Sequence, residues 1–282
     1  MKTIFLFASI FLIAAVSNPI AAQEDAHQTK KDKHGFLYKE YHNNYKMNYP
    51  ADDLTKLKVI SKAGDVTILP GDNKNIVVEA DVVMTSMSEK WQDRIIRKYL
   101  NLGFEQKEDV LKFRGDFNHT VKNYQLPGYL IKHLGTPGSK INFTVYVPDN
   151  LFISIHDGSG DLTVKNLSNG VYISDGSGSI LVDSISGRIE VHDASGDIRI
   201  RNIMSIGELT IRDDSGDIFA ENIYGNIDIN DASGSIYMDE VQGLVDIRDG
   251  SGDIIAKVKD GRVNVNADGS GSKHISYYYM QH

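Results

Sequence analysis

Hydrophobic and polar residues alternate along most of the second half of the chain, and the pattern recurs about every 18 residues. In one such stretch Ile180 and Val182 are followed by Ile185 and then by Ile189 and Val191, with polar residues mostly between them. Alternation with a period of two is typical of strands that bury one face, and β-branched residues suit a pleated surface. The pattern predicts short strands with five inward-facing apolar side chains in each repeat.

A turn motif, Asp-x-Ser-Gly, separates these stretches. Its serine recurs at intervals of 18, 18, 20, 18, 18 and 19 residues, at Ser159, Ser177, Ser195, Ser215, Ser233, Ser251 and Ser270. Because one repeat cannot bury its own apolar side, each needs a neighbour above and below it, at a spacing of about 4.8 Å. The sequence therefore predicts an all-β fold, a single-domain parallel β-solenoid with about 18 residues per coil and regular repeats over residues 157–272.

Glycines mark the two predicted corners of each coil. The glycine after each motif serine is expected to take a positive φ angle, which other residues adopt only at a cost. A second series predicts the opposite corner, at Gly187, Gly225, Gly243 and Gly261, with Gly170 and Gly207 shifted. Residues 204–206 are interpreted as an insertion at that corner. A degenerate copy of the repeat at residues 60–68 indicates that the solenoid begins there, so that its domain spans residues 55–282.

The first residues of the chain have the features of a secretory signal peptide over residues 1–22. Lys2 precedes an apolar run over residues 4–16, and small residues end at Ala21 and Ala22. The run is too short for a membrane span of about 20 residues, and no other stretch approaches one. We therefore expect an exported protein, periplasmic or secreted, with no transmembrane segment in the mature chain.

Two segments depart from the regular repeat. Residues 23–54, dense in Lys, His, Asn and Tyr, predict a mobile polar leader. Residues 85–140 form an excursion that opens with a capping box at Ser86 and Glu89. Apolar residues at helical spacing and a glycine stop follow, at Trp91, Ile95, Tyr99, Leu102 and Gly103. The excursion is expected to contain one amphipathic helix that covers an end or a side of the solenoid.

Composition excludes several classes of site and partner. The formal net charge is −8, with 38 acidic against 30 basic residues, and clustered positive charge is not evident, which argues against a nucleic-acid partner. The chain contains no cysteine, so disulfides and thiolate metal sites are excluded. A repetitive sheet held by its core and its hydrogen bonds is consistent with both facts.

The signal peptide, the segments LKVISKAGDV at 57–66 and FTVYVPDNL at 143–151, and the serial Ser-Gly-Asp-Ile turns occur in this order along the chain. This combination resembles the bacterial putative-adhesin family of unknown function, over about residues 55–272. The resemblance implies an exported or envelope-facing β-solenoid. It carries over no catalytic residue, and the long excursion departs from the simplest family pattern.

The aspartates of the turn motif would stack into a column of carboxylates, the aspartate ladder, at Asp157, Asp175, Asp193, Asp213, Asp231 and Asp249, with Asp268 beyond them. Neighbouring carboxylates at this spacing repel by about 1 kcal/mol even in water, so something must offset the repulsion. Each carboxylate could accept backbone N–H hydrogen bonds from its own turn. Alternatively, the ladder and a second acidic series, at Asp161, Asp197, Asp217 and Asp253, could hold calcium between coils. That series is interrupted by Ser179, Ser235 and Ser272, which argues against calcium.

One outward position of successive coils forms a second column, the outer column, at Thr163, Leu181, Arg199, Phe219, Tyr237 and Ile255. Exposed apolar columns often mark binding surfaces, which makes Leu181, Phe219, Tyr237 and Ile255 candidates for a binding surface. Ordinary stacking of neighbours along a sheet, or cover by residues 85–140, would explain the same pattern.

Catalysis has weaker support. A nucleophilic serine would be unique and would have a positioned base, whereas the motif serine recurs in every coil. His156 and His192 lie two coils apart, about 10 Å, which is too far to share a zinc ion. We therefore interpret the chain as a non-enzymatic, exported, adhesin-like β-solenoid that binds or scaffolds an unknown envelope protein or glycan. A calcium-binding β-roll and a carbohydrate-active enzyme remain as alternatives.

Overall fold

The computed structural model describes residues 28–31, 37–86, 93, 96–117 and 139–278. The predicted signal peptide over residues 1–22 lies outside these residues. The described strands, in chain order, are β1 (Gln28–Lys31), β2 (Leu37–Pro50), β3 (Lys56–Ser61), β4 (Val66–Pro70), β5 (Asn75–Ser86), β6 (Leu100–Lys107), β7 (Val110–Phe117), β8 (Ser139–Val147), β9 (Phe152–His156), β10 (Leu162–Leu167), β11 (Val171–Ser174), β12 (Ile180–Ile185), β13 (Ile189–Asp193), β14 (Ile198–Asp213), β15 (Ile218–Asp231), β16 (Ile236–Gln242), β17 (Leu244–Asp249), β18 (Ile254–Lys259), β19 (Arg262–Asp268) and β20 (Lys273–Tyr278).

The strands form two parallel stacks that the chain visits in turn. The first stack runs β8, β4, β10, β12, β14, β15, β16, β18 and β20. The second stack runs β7, β3, β9, β11, β13, β14, β15, β17 and β19, because the long strands β14 and β15 continue around a corner into both. Leu162 pairs with Ile180 and Ile180 with Ile198, so equivalent residues of successive coils lie above one another. The predicted parallel β-solenoid with about 18 residues per coil is confirmed.

The core is a continuous apolar column between the two stacks. Ile180, Val182, Ile185, Ile189 and Val191, the five inward residues of one coil, are each at most 1% exposed. Burial of an isoleucine or valine side chain stabilises the fold by about 1.5–3 kcal/mol. Each coil therefore depends on the coils on either side to exclude water from its apolar face.

The glycine after each motif serine has the predicted positive φ angle, for example 127° at Gly160 and 140° at Gly216. At the opposite corner Gly187 and Gly243 also have positive φ angles. The pairing of β14 with β15 shifts register between Met204 and Glu208, where the sequence indicated an insertion. A third bend, which the sequence interpretation missed, places non-glycine residues in the left-handed region at Asn166, Ser184, Asn202, Asn222 and Glu240.

The prediction of a mobile polar leader over residues 23–54 is wrong for β2, which pairs antiparallel with β5 from Lys39 to Pro50. Tyr41, Met47 and Tyr49 are buried on one face of β2. These residues occupy odd positions and therefore keep the two-residue period of a strand. Tyrosine and methionine among many polar residues concealed that period.

The excursion at 85–140 contains more strand than helix among its described residues. Residues 96–99 are helical, but the chain is already extended at Leu100, and β6 and β7 form an antiparallel hairpin. Gly103 therefore lies within a strand and does not end the helix, and Ser86 is the last residue of β5. Glu89, the predicted capping residue, and Trp91 and Ile95, which the sequence interpretation assigned to the helix, lie outside the described residues. Alternation of Leu111 and Phe113, both fully buried, explains why this segment extends.

β7 from the excursion, together with β2, β5 and β8 from the segments around it, extends and protects the solenoid. β7 pairs with β3 and β8 pairs with β4, so together they add a coil beyond the degenerate repeat at residues 60–68. β5 then pairs antiparallel with β8, and β2 with β5. An uncovered strand edge invites pairing with another chain. In the described part of the chain, β5 and β2 provide the cover at this end that the sequence interpretation assigned to a helix.

Candidate functional site

The aspartate ladder lies in a buried corner, with Asp157, Asp175, Asp193, Asp213, Asp231 and Asp249 each at most 8% exposed. The Oδ1 atom of each accepts a hydrogen bond from a backbone N–H of its own turn; the Ser195 N–H donates to Asp193 at 3.2 Å and the Gly176 N–H to Asp175 at 2.7 Å. The structure thus contains the Asx-turn hydrogen bonds that the sequence suggested. One oxygen of every carboxylate is occupied in holding the corner.

The second oxygen of Asp175, Asp193, Asp213 and Asp231 is buried and accepts no hydrogen bond from the described residues. Burial raises the pKa of Asp193 to about 7, and the neighbouring carboxylates add to the rise. Burial likewise raises the pKa of Asp157, Asp213 and Asp231 to about 6. The ladder is therefore a column of carboxyls that bind protons at a higher pH than an ordinary aspartate does.

Calcium coordination has no preformed cage in this corner. Within the described ranges, no three His, Asp or Glu side chains converge as metal ligands would. The second acidic series is also committed to the backbone, since Asp161 accepts the Ser179 N–H at 3.0 Å and Asp217 accepts the Ser235 N–H at 2.9 Å. Both acidic series of the motif thus connect backbone groups within a coil or between coils.

The motif serines have a structural partner as well. The hydroxyl of Ser215 donates to the carbonyl of Ala194 at 3.2 Å, and that of Ser233 to the carbonyl of Asp214 at 3.2 Å. Each hydroxyl therefore connects its coil to the previous coil. A catalytic serine would instead donate to a positioned base.

The outer column is a single column in space, because register pairs Leu181 with Arg199, Arg199 with Phe219, Phe219 with Tyr237 and Tyr237 with Ile255. The Arg199 guanidinium lies 4.3 Å from the Phe219 ring centroid. The Phe219 and Tyr237 rings stack at 5.1 Å with an interplanar angle of 10°. Phe219 and Tyr237 are half-buried and Ile255 is 37% exposed, so the stacked column is partly open to solvent.

The outer column thus shows stacking of neighbours along the sheet. This is one of the two alternatives to a binding surface that the sequence offered. The other explanation was cover by the excursion. Among the described residues β5 and β6 contact β2, β7 and β8 at the first coils, away from Phe219 and Tyr237. The described strands of the excursion therefore leave the outer column uncovered.

His156 and His192 lie in one column of the second stack, separated by Ser174. The Tyr172 ring lies between the two imidazoles, with centroids 5.7 Å from His156 and 5.6 Å from His192. The His192 Nε2 atom is 2.9 Å from Glu190. Both histidines therefore lie beside the Tyr172 ring, and His192 also contacts Glu190.

A shallow depression of about 480 Å³ on the second stack was missed by the sequence interpretation. We call it the Ser154 depression; its lining consists of Lys56, Lys58, Phe152, Ser154, His156, Val171, Tyr172, Arg188 and Glu190. Ser154 is the small residue of its column, between Lys58 on β3 and Tyr172 on β11. The depression could have been predicted by aligning β3 with β9, because that alignment places Lys58 beside Ser154.

No helix in the described part of the chain has the length and apolarity that a membrane crossing requires.

Among curated proteins none matches this chain.

Several solved structures resemble the fold. A "putative adhesin" from Bacteroides fragilis NCTC 9343 is 14% identical, over 84% of this chain and 97% of that one, with a TM-score of 0.39. A "putative lipid binding protein" from Parabacteroides distasonis ATCC 8503 is 14% identical, over 84% and 97%, with a TM-score of 0.42. A "putative cell adhesion protein" from Clostridium sporogenes ATCC 15579 is 11% identical, over 84% and 100%, with a TM-score of 0.35.

The sequence family agrees with the architecture. The model of the Toastrack DUF4097 family matches residues 54–282, which include the whole solenoid domain and its excursion. This match confirms the family resemblance seen in the repeated turns. The chain belongs to the Toastrack DUF4097 family.

Proposed function

We propose that this chain is an exported, non-catalytic binding protein of the adhesin-like kind, which engages an envelope protein or glycan through the outer column. The observation that carries the proposal is the stack of Arg199, Phe219 and Tyr237, continued by Ile255, which the described strands leave open. Aromatic and arginine side chains dominate the energetics of binding surfaces. Because the column is built on paired strands, its side chains are already ordered, and binding costs little further conformational entropy.

The regular corners support a binding role over a catalytic one. Motif serines donate to backbone carbonyls, and motif aspartates accept from backbone amides. These groups hold coils together and leave no distinctive nucleophile and base among the motif residues. A carbohydrate-active enzyme would need acidic groups that face a substrate, and turnover on a panel of polysaccharides would revive that alternative.

Export is part of the proposal because the residues at 1–22 have the charge and apolar pattern of a signal peptide. The absence of cysteine means that the fold does not depend on an oxidising compartment. Fractionation of cells that express the full chain tests export directly. Recovery of the uncleaved chain in the cytoplasm would contradict it.

The binding proposal is tested with envelope proteins and envelope polysaccharides immobilised in separate arms. A double variant, Phe219→Thr with Tyr237→Thr, removes the stacked rings, and threonine is compatible with this column because Thr163 already occupies it. Tyr224→Thr is the matched control, since Tyr224 is 42% exposed at a different corner. We expect the double variant to bind about tenfold more weakly in one arm and the control to bind as the unmodified chain does. Equal binding by the double variant, or no binding in either arm, would contradict the proposal.

A further inference from the structure

The Ser154 depression exists because a small side chain interrupts a column of larger ones. Ser154 lies directly between Lys58 and Tyr172 and is 3% exposed, so it forms a floor. Phe152 and His156, two residues away on either side of Ser154 along β9, form the walls. A volume of about 480 Å³ is within the range of small-molecule sites in proteins.

Two lysines give this depression a positive field. Lys56 and Lys58 are half-buried, and neither forms an ion pair with a carboxylate among the described residues. The next lysine of that column, Lys112, differs because it is paired with Glu105. The Lys56 ammonium lies 5.4 Å from the Phe152 ring centroid, which places its charge at the wall. Outward residues two apart on a strand are separated by about 7 Å, so both ammonium groups can reach one anionic group.

The His156 wall has an unused hydrogen-bonding atom. The Nδ1 atom of His156 is buried and has no hydrogen-bond partner among the described residues. Burial, followed by the charges of Lys58 and Lys56, lowers the pKa of His156. The neutral imidazole is therefore favoured, and it offers one donor or one acceptor to a hydroxyl group.

Glu190, the one acidic residue of the lining, lies at the far end of the depression, where two arginines balance its charge. Glu190 accepts a hydrogen bond from Arg188 at 3.0 Å and lies 2.9 Å from His192 Nε2 and 3.3 Å from Arg212. Arg188 remains 72% exposed beside the opening. The lining is thus net positive on a chain whose formal net charge is −8.

We propose that the Ser154 depression binds a sugar that carries an anionic group. The carboxylate or phosphate lies between Lys56 and Lys58, and the sugar ring lies against Tyr172. Ring hydroxyls reach His156 and Ser154. An open, aromatic-walled depression with a few polar groups suits a ligand that is apolar on its ring faces and polar at its edges. A short anion is favoured over nucleic acid, because an extended polyanion would meet the overall negative charge beyond the depression.

Titration calorimetry with the full mature chain tests this proposal, with galacturonate oligosaccharides in one arm, glucose 6-phosphate in a second and maltotriose as the neutral arm. Binding in either anionic arm, and about tenfold weaker or no binding of maltotriose, is the expected result. The two anionic arms distinguish a uronate source from a phosphate source. Failure of both, or equal affinity for maltotriose, would overturn the proposal.

Variants locate the site. Lys58→Met keeps the length of the side chain and removes its charge, and Ser154→Phe fills the floor; each is expected to weaken binding about tenfold or more. Lys165→Met is the matched control, because Lys165 projects outward from β10 in the first stack. Unchanged affinity in Lys58→Met and Ser154→Phe, with both melting as the unmodified chain does, would overturn the assignment. Added salt at about 0.5 M should weaken binding by screening.

This site is independent of the outer column, which lies on the first stack. The double variant Phe219→Thr with Tyr237→Thr should therefore bind the anionic sugar as the unmodified chain does. Loss of sugar binding in that variant would place the ligand on the outer column and overturn the assignment to the Ser154 depression. A failure of sugar binding and a failure of envelope binding are thus separate outcomes.

Discussion

Gly216 lies so close to Gly196 of the previous coil that a Cβ built on Gly216 would be 1.9 Å from the Gly196 carbonyl oxygen. The φ angle of Gly216 is also 140°, a conformation that other residues rarely adopt. The same contact recurs at each motif glycine, and the preceding serine hydroxyls connect to the previous coil at the same corner. The motif serine and glycine therefore recur in every coil because the coils must stack closely at this corner, and a catalytic role is not needed to explain them.

Gly216→Ala is accordingly expected to destabilise the fold severely, by about 3 kcal/mol or more, because the backbone of two coils must separate. Urea unfolding followed by circular dichroism measures the change. Gly103→Ala is the control, since a Cβ on Gly103 meets no atom within 4 Å. Equal stability of the two variants would show that the corner tolerates a side chain.

The aspartate ladder predicts an unusual dependence of stability on pH. In the folded chain burial raises the pKa of Asp193 to about 7 and of Asp213 and Asp231 to about 6, whereas an unfolded aspartate has a pKa of about 4. The stabilisation is therefore complete below about pH 4 and is lost as the pH rises through 6 to 7. The free energy of unfolding should rise between about pH 8 and pH 5, by on the order of 1 kcal/mol per carboxyl.

His156 acts in the opposite direction, because its lowered pKa disfavours the charged ring in the folded chain. The ladder should prevail, since it contains several carboxyls against one imidazole. A chain that loses stability steadily from about pH 8 to pH 5 would contradict the description of the ladder.

Asp193→Asn should stabilise the chain at about pH 8 and have little effect at about pH 5, because the amide removes one of several repelling charges. Asparagine retains a carbonyl oxygen for the Ser195 N–H, and its NH₂ group can donate to a neighbouring carboxylate. Thermal melts at both pH values measure the difference. Asp239→Asn is the control, because Asp239 is exposed and 3.6 Å from Lys257; its melts should not show this pattern.

Calcium is expected to leave the melting temperature unchanged. One oxygen of each ladder carboxylate accepts a backbone N–H, and the described residues contain no group of three acidic or histidine side chains arranged for a metal. Melts with millimolar calcium and with a chelator make the comparison. A rise of several degrees with calcium would support the β-roll alternative, since a ligand that binds the folded state stabilises it by mass action.

The sequence predicted the coils well because equivalent residues recur at a nearly constant spacing. A fixed period locates Ile180 and Ile198 at equivalent positions, and a serine followed by glycine locates each corner. The bend at Asn202 was missed because a left-handed asparagine leaves no gap in the strand pattern. Strand β2 was missed because Tyr41 and Tyr49 supply its buried face among polar neighbours.

One of the two candidate sites could be predicted from the regular coils of the sequence and the other could not. The outer column could be predicted, because one position in each coil suffices to align Phe219 with Tyr237. The Ser154 depression could not be recognised from the regular coils, because its lysines lie on β3, before the degenerate repeat at residues 60–68. Its shape depends on Ser154 being smaller than Tyr172, a contrast that appears only when distant strands are placed side by side.

We expect the motif to build the solenoid and the outer column to bind the partner. Two double variants in the same two coils separate these roles: Ser215→Ala with Ser233→Ala at the corner, and Phe219→Thr with Tyr237→Thr on the outer column. The most direct measurement is the Kd of each for the envelope component captured by the unmodified chain. We predict about tenfold weaker binding for the outer-column variant and a change of less than about twofold for the corner variant. Loss of binding in the corner variant alone, at unchanged melting temperature, would contradict the account.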